Sequence, residues 1–434
     1  MKIRIAEKDR DLLRFVWFDD VFSDNPQMIV LRYCVLPFGL NCSPFILGAI
    51  VILHMLSYVE SNAESKEIVE QFLRDLYMDD ETTGTQDLET AIRFYKFVRA
   101  SMNEGGFDLR KWQSNSSELI QFIQEHEQLF GADIAVVAKS ITKILGIPWN
   151  KVDDQLIFNF ATIINEAISD EKEVTKRIVL KVTHSIFDPL GVLAVFVIIL
   201  KLLFQEVCSL RCDWDTPLSE EFTIKWRKAL KYLKTVDTIN EPRCYFSPYK
   251  FDNVVKCELH GFCDASKDAY AAVVYIRWTM DDGSVIVRFV ACKTKVVPLK
   301  VRASLTKEGV PTPNLELLAC ELLSKLLITI RRSLQCVNKI EERVFCWTDS
   351  MDCYYWITNT SKVRKRFVQS RVNKIRKYLP SAVWRHCPGK LNPADLPSRG
   401  ADLSGEGLRE LWLHGAVFLP HDEEFWPETP TETV

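Results

Sequence analysis

Four carboxylates occupy the sequence settings that metal-dependent phosphodiester chemistry requires. Asp264 lies in a strand pattern, C-E-L-H-G-F-C-D-A-S, and Asp349 ends another, V-F-C-W-T-D-S. Glu316 opens an apolar helix pattern, and Asp395 lies in P-G-K-L-N-P-A-D at the start of a final helix. Two Mg²⁺ ions roughly 4 Å apart need several negative oxygens that converge from different elements. Strand ends and helix starts in this order predict such a site.

A second acidic pair, Asp79 and Asp80, belongs to the segment F-L-R-D-L-Y-M-D-D-E-T-T-G. This pattern predicts a hairpin with the two Asp at its tip, an arrangement that can bind catalytic Mg²⁺. Two Asp in a polar turn are common in proteins, so the pair alone is a weak signal. Its meaning depends on the motifs around it.

The order of elements predicts an α/β protein. Residues 1–150 alternate helix-like and strand-like patterns, and residues 151–243 are mostly helical, with Phe222, Trp226, Leu230 and Leu233 at helical spacing. Residues 244–400 begin with three strand patterns, two of them joined by an Asp282-Gly283 turn, and continue as αβαβα. Residues 401–434 are acidic, contain Trp and Pro, and show no assignable pattern.

Composition limits the classes of protein to consider. The 434 residues are 47% hydrophobic and 26% charged with a net charge of −3, so any nucleic-acid-binding surface must be local. The 13 cysteines include no C-x-x-C pair, and the N-terminus lacks the apolar core of a signal peptide. The most apolar run, Leu190 to Leu200, is too short for a bilayer, which takes about 20 residues. We expect an intracellular protein with reduced cysteines and no membrane role.

Eight motifs in order resemble Bel/Pao-type long-terminal-repeat retrotransposon polyproteins, over roughly residues 3 to 425. L-P-F-G-L-N-C-S-P-F, Y-M-D-D, G-G-F-D-L-R-K-W and I-L-G-I-P-W-N resemble motifs B to E of a reverse-transcriptase palm. C-D-A-S, L-E-L-L, W-T-D-S and P-G-K-L-N-P-A-D-L-P-S-R-G resemble the ribonuclease H domain of the same group. F-D-P-L-G, at Phe187 to Gly191, fits the connection between the two.

The resemblance implies four parts. Residues 1–150 would be a partial palm, 151–243 a helical, thumb-like connection, 244–400 a ribonuclease H-like domain with a mixed five-stranded sheet and flanking helices, and 401–434 a tail. Nucleic acid, and an RNA–DNA hybrid above all, would be the partner. Oligomeric state stays open.

For the ribonuclease H-like part, the resemblance implies a site with two Mg²⁺ ions. Asp264 would bridge both ions, Glu316 and Asp349 would hold one, and Asp395 the other. The reaction would be hydrolysis of the RNA strand of an RNA–DNA hybrid. Each acid also has a bland interpretation: Glu316 as a favourable acid early in a helix, Asp349 and Asp395 as helix caps, and Asp264 as a strand end.

For the palm-like part, the resemblance implies that Asp79 and Asp80 are two of three metal-binding Asp residues. Phe38 and Gly39 would line the incoming nucleotide and template, and Lys111 would lie near the palm floor. The third Asp is expected before R-I-A-E-K-D-R-D-L-L, upstream of this chain. We therefore expect no polymerase activity from the chain alone. We also expect that the chain needs the upstream polymerase portion as a partner. The alternative function is a catalytically inactive, nucleic-acid-binding retroelement remnant.

A basic stretch from Lys362 to Lys377 contains eight Lys or Arg and no Asp or Glu. Its apolar residues have helical spacing, so a basic amphipathic helix could follow a phosphate backbone. The residues expected to bind nucleic acid are Arg364, Lys365, Arg366 and Arg371. A solvated helix face is the alternative, because runs of charge usually form one.

Overall fold

A computed structural model of the chain describes residues 3–59, 63–78, 80–127, 140–169, 173–299, 312–334, 340–362 and 364–428. These residues form two compact units. The first comprises Met1–Leu145 with Asn150–Asp153, and the second comprises Gly146–Trp149 with Asp154–Val434. Helices and sheets both occur, which confirms the α/β class.

The first unit has a core where three helices meet. Val51, Met55, Phe72 and Phe94 are among the buried side chains. The third helix begins where the Asp87 side chain accepts a hydrogen bond from Thr90 N. The helices are α1 (Ser43–Leu56), α2 (Ala63–Asp75), α3 (Leu88–Glu104) and α4 (Ser117–Glu127). The strands are β1 (Arg14–Phe18), β2 (Met28–Arg32), β3 (Leu76–Tyr77), β4 (Asp80–Glu81) and β5 (Ile141–Ile144), and a 3₁₀ helix covers Glu7–Leu13.

Four helices come early in the second unit: α5 (Ala161–Ser169), α6 (Lys176–Ser185), α7 (Ala194–Ser209) and α8 (Glu220–Lys234). The predicted helical spacing in α8 is confirmed, because Phe222, Trp226, Leu230 and Leu233 are all buried. Strands β6 (Ile147–Asn150), β7 (Gln155–Phe158) and β8 (Ile239–Pro242) accompany the helices.

Helix α7 begins within the apolar run noted in the sequence and includes its residues from Ala194 to Leu200, nearly all of which are buried in the second unit. Apolar residues surround it, including Phe160, Phe289 and Trp412 in the same cluster. Within the residues that the structure describes, none of the helices has the length and apolar character needed to cross a bilayer.

A five-stranded mixed sheet forms the centre of the second unit, in the spatial order β11-β10-β9-β12-β13. Its strands are β9 (Val254–Ala265), β10 (Ala269–Met280), β11 (Val285–Val296), β12 (Ile340–Thr348) and β13 (Val383–His386). The first three are antiparallel neighbours, whereas β12 runs parallel to both β9 and β13. The predicted turn at Gly283 joins β10 to β11, with φ +83°.

The two faces of the sheet are covered by different elements. Helices α9 (Thr312–Ser333), α10 (Met351–Thr358) and α11 (Arg366–Tyr378) contribute to the apolar cluster on one face. Alternation along β9 directs Leu259 and Cys263 into that cluster and Phe262 into the opposite one. Gly261 lets α9 approach closely, because a Cβ there would lie 2.5 Å from Leu323 Cδ1.

The opposite face is covered by α7, α12 (Asp395–Arg399), α13 (Glu406–His414) and the C-terminal segment, which we define as residues 415–428. Phe418, Leu419 and Trp426 of this segment are buried in the same cluster as Phe262 and Trp347. Residues 415–428, for which the sequence analysis found no pattern, therefore contribute side chains to the core.

Candidate metal centre

Three of the four predicted acids meet at one edge of the central sheet. Asp264 is the penultimate residue of β9, and Asp349 directly follows β12. Because β9 and β12 are parallel neighbours, with Thr348 opposite Cys263, their carboxyl ends lie side by side. Glu316 reaches the same edge from the first turns of α9.

The carboxylates of Asp264, Glu316 and Asp349 each offer an oxygen, and these atoms lie within 4.8 Å of one another. Asp264 and Glu316 are only 2% and 8% exposed. Glu316 Oε2 and Asp349 Oδ1 are buried and have no hydrogen-bond partner among the described residues. Buried acceptors without donors are costly, and a hard divalent cation satisfies them. This donor set therefore fits a metal such as Mg²⁺ or Mn²⁺.

The electrostatics of the group lead to the same conclusion. Burial, with Asp349 and Asp395 nearby, raises the pKa of Asp264 to about 6, although a hydrogen bond from Ser398 opposes the rise. Burial and the charges of Asp264 and Asp349 raise the pKa of Glu316 to about 10. Burial also raises the pKa of Asp349. Without a cation, the raised pKa values mean that these carboxyl groups retain protons, which reduces their mutual repulsion. A bound cation would replace the protons and neutralise the carboxylates instead.

Asp395 has a different environment from the other three acids. It is the first residue of α12, and its Oδ1 accepts a hydrogen bond from Arg399 Nε at 2.5 Å. Its side chain is 39% exposed, and it is outside the group within 4.8 Å. Its charge nonetheless raises the pKa of Asp264 and Asp349, so it is a neighbour of the site.

The interpretation of Asp349 and Asp395 as helix caps is wrong. Ser350 is the N-cap of α10, and its side chain accepts a hydrogen bond from Cys353 N. Ala394 holds the N-cap position of α12, where no side-chain cap forms. Both carboxylates are thus free of a capping role.

Two residues that the sequence analysis did not single out fasten the last motif to β9. Asn392 Nδ2 donates to the carbonyl of Cys263 at 3.0 Å, and Ser398 Oγ donates to Asp264 Oδ2 at 2.5 Å. Both residues belong to the motif P-G-K-L-N-P-A-D-L-P-S-R-G. Membership in this motif was the sequence feature that could have indicated a role for them at the site.

Sequence comparison gives the family of this region. Residues 175–350 match the model of the Pao retrotransposon-like RNaseH-like domain. The chain carries a Pao retrotransposon-like RNaseH-like domain. The match contains Asp264, Glu316 and Asp349 and confirms the resemblance seen in the motifs. It begins in the helices before the sheet, at the N-cap of α6. No curated relative matches the chain.

Solved structures similar to the chain include two ribonucleases H. The enzyme from the halophilic archaeon Halobacterium salinarum is 10% identical, with 32% of this chain and 90% of that chain covered and a TM-score of 0.19. The compost-derived LC11-RNase H1 is 15% identical, with 33% and 92% covered and a TM-score of 0.21. The foamy viral protease-reverse transcriptase in complex with dsDNA is 13% identical, with 88% and 65% covered and a TM-score of 0.20.

Most of the basic stretch forms α11, and its cations differ in exposure. Arg364 Nη2 donates to the Tyr355 carbonyl at 3.3 Å, and Arg371 lies over the Phe367 ring at 3.9 Å. Lys365 and Arg366 are exposed. The role of these four cations in binding nucleic acid stays a prediction.

The residues assigned to the palm-like part lie in the first unit. Strands β3 and β4 pair Tyr77 with Asp80, which gives the hairpin predicted for Y-M-D-D. Asp79 lies outside the described residues. Phe38 is 81% exposed, Gly39 has φ +90°, and Lys111 is exposed with φ +62°. Among the described residues of this unit, no three metal-ligating side chains form a group like the one at Asp264. The polymerase-related roles stay predictions.

Proposed function

We propose that this chain, as part of a retrotransposon polyprotein, hydrolyses the RNA strand of RNA–DNA hybrids with divalent cations, Mg²⁺ being the physiological choice. The convergence of Asp264, Glu316 and Asp349 within 4.8 Å is the observation that carries the proposal. Their location in a Pao-type RNaseH-like domain supports it.

The three clustered carboxylates of Asp264, Glu316 and Asp349 would hold the cations. Asp395 would join the set by releasing Arg399, which is mostly exposed and so free to move. Cations bound there would supply activation of the attacking water and neutralisation of charge on the phosphate. The oxygen of the water would form a bond to phosphorus as the bond from phosphorus to the 3′ oxygen breaks. The water would lose one proton and the 3′ oxygen would gain one, so the products would carry a 5′ phosphate and a 3′ hydroxyl.

Substrate selection would depend on the shape of the hybrid and on the 2′-hydroxyl of the RNA strand. The exposed Lys365 and Arg366 at the start of α11 are suited to contact phosphates. By contrast, Arg371 faces Glu321, with Arg371 Nε 3.9 Å from Glu321 Oε2, so part of its charge is neutralised within the domain.

Cleavage of a hybrid with labelled RNA by the full chain, in Mg²⁺ or in EDTA, tests the proposal. The full chain is required because the helices of residues 161–234 share a core with the sheet. We expect Mg²⁺-dependent cutting of the RNA strand that Asp349→Asn abolishes. Asp352→Asn is the matched control, since Asp352 is exposed on α10 and should retain activity.

A folded chain that binds the hybrid but does not cleave its RNA strand in Mg²⁺ or Mn²⁺ would contradict the proposal. That outcome would instead support the alternative function, a catalytically inactive remnant that binds nucleic acid and retains the four acids without hydrolysing RNA.

A further inference from the structure

We infer that Ser398 is a positioning residue whose hydroxyl orients the Asp264 carboxylate for cation binding. The inference rests on the proposed function and adds a residue beyond the four acids. Ser398 lies in α12, three residues after Asp395, and its relative exposure is 0%. A serine that is fully buried beside a carboxylate needs a partner for its hydroxyl.

The contact geometry identifies that partner. Ser398 Oγ lies 2.5 Å from Asp264 Oδ2 and 2.9 Å from the carbonyl oxygen of Asp395. A hydroxyl has one hydrogen to donate, and a carboxylate is a stronger acceptor than a carbonyl. The hydrogen therefore goes to Asp264 Oδ2. This bond fixes the rotation of the carboxylate about its last side-chain torsion.

The segment that carries the Ser398 hydroxyl is held by hydrogen bonds to residues on both sides of Asp264. Asn392 Nδ2 donates to Cys263 O at 3.0 Å, on one side of Asp264. Ser266 Oγ donates to the Ser398 carbonyl at 2.8 Å, on the other side. The segment that carries Ser398 is thus joined to the end of β9 before, at and after the acid.

Repulsion within the acid cluster explains why such an anchor matters. Asp264 faces Glu316 and Asp349, and mutual repulsion favours rotation of an ionised carboxylate away from them. A charge-assisted hydrogen bond to one oxygen opposes this rotation. Carboxylates that are held in place before the cation arrives bind it more tightly than mobile ones.

Isothermal titration calorimetry of the full chain with Mn²⁺ measures cation binding and so tests the inference without requiring activity. Ser398→Ala should weaken Mn²⁺ binding about tenfold, the value of a hydrogen bond to a charged group. Ser398→Thr retains the hydroxyl and should bind within about twofold of the unmutated chain. Ser324→Ala is the matched control, because Ser324 is also fully buried but its hydroxyl donates to the carbonyl of Cys320 within α9. We expect it to bind Mn²⁺ as the unmutated chain does.

Three results would overturn the inference: unchanged binding in Ser398→Ala, equal weakening in Ser324→Ala, or no Mn²⁺ binding by the unmutated chain. Should Ser398→Ala not fold, the nearly isosteric Ser398→Cys takes its place, since a thiol is a weak donor. An unmutated chain that binds Mn²⁺ but cuts no hybrid would refute the proposed function only. The Ser398 inference would still be decided by the isotherms.

Discussion

Arg277 and Glu258 form an ion pair inside the central sheet, with Arg277 Nη1 2.6 Å from Glu258 Oε2. The two residues face each other across β9 and β10, and their side chains are only 6% and 2% exposed. Arg277 Nε also donates to the carbonyl of Leu419 at 2.7 Å. One guanidinium thus connects the sheet to the C-terminal segment.

Replacing Arg277 should be strongly destabilising because it leaves the Glu258 charge buried. We expect Arg277→Met to lower the free energy of unfolding by about 3–5 kcal/mol. Adding Glu258→Gln should recover part of this loss, whereas Lys256→Met, at the more exposed partner of Glu258, should cost less than about 1 kcal/mol. Urea denaturation of the four proteins measures these values. Equal effects of Arg277→Met and Lys256→Met would contradict the assignment.

The C-terminal segment should behave as part of the core. Trp426 is 5% exposed and its ring centroid lies 5.0 Å from that of Phe345, while the adjacent Phe425 is 67% exposed. Trp426→Ala should therefore lower the free energy of unfolding by about 3–5 kcal/mol. Phe425→Ala should change it by less than about 0.5 kcal/mol, as for other surface positions. Thermal unfolding of the full chain compares the two, and similar melting temperatures would show that the segment is dispensable.

The order in this segment could not be predicted from the sequence because tertiary contacts create it. Its longest helical piece is a single 3₁₀ turn, Glu423–Phe425, so there is no period to detect. Order comes instead from long-range contacts, such as Trp426 against Phe345 and Glu423 paired with Arg343. Local patterns carry no information about such contacts.

The acid cluster was predictable because each acid ends or opens a regular element. Parallel neighbours bring Asp264 and Asp349 to one edge, and that pairing follows from the ribonuclease H-like order of the elements, not from the local patterns of β9 and β12. Ser398 was not predictable, since its partner Asp264 lies 134 residues away in the chain. The ion pair of Asp395 with Arg399 is a local contact by contrast, because residues four apart lie on the same face of α12.

Gly191, in the F-D-P-L-G motif, should tolerate no side chain. It has φ +81°, and a Cβ would lie 2.3 Å from the Cys292 carbonyl oxygen. We expect Gly191→Ala to lower the free energy of unfolding by at least about 2 kcal/mol, from backbone strain and overlap together. Gly283→Ala is the control, because Gly283 has a similar φ of +83° and open space around it. Urea denaturation should show a clearly smaller loss for the control; equal losses would leave backbone strain as the whole cause.

The acid cluster should make the stability of the chain depend on pH when no cation is bound. The pKa of Asp264 is raised from 3.8 to about 6, and that of Glu316 from 4.5 to about 10. The folded state therefore holds more protons than the unfolded state between each pair of values. Stability is greatest below about pH 4 for these groups and falls as the pH rises. For Asp264 the fall is complete by about pH 6, whereas for Glu316 it continues toward pH 10.

Mg²⁺ should reverse this loss by taking the place of the protons. In EDTA, we expect the contribution of the cluster to the melting temperature to fall between pH 5 and pH 8. In millimolar Mg²⁺ it should fall less, and the benefit of Mg²⁺ should grow with pH, because binding to the folded state requires deprotonated carboxylates. The doubly substituted chain Asp264→Asn, Glu316→Gln should show a smaller pH slope in EDTA and little response to Mg²⁺. An equal rise in melting temperature for both chains would place the Mg²⁺ effect elsewhere than at Asp264 and Glu316.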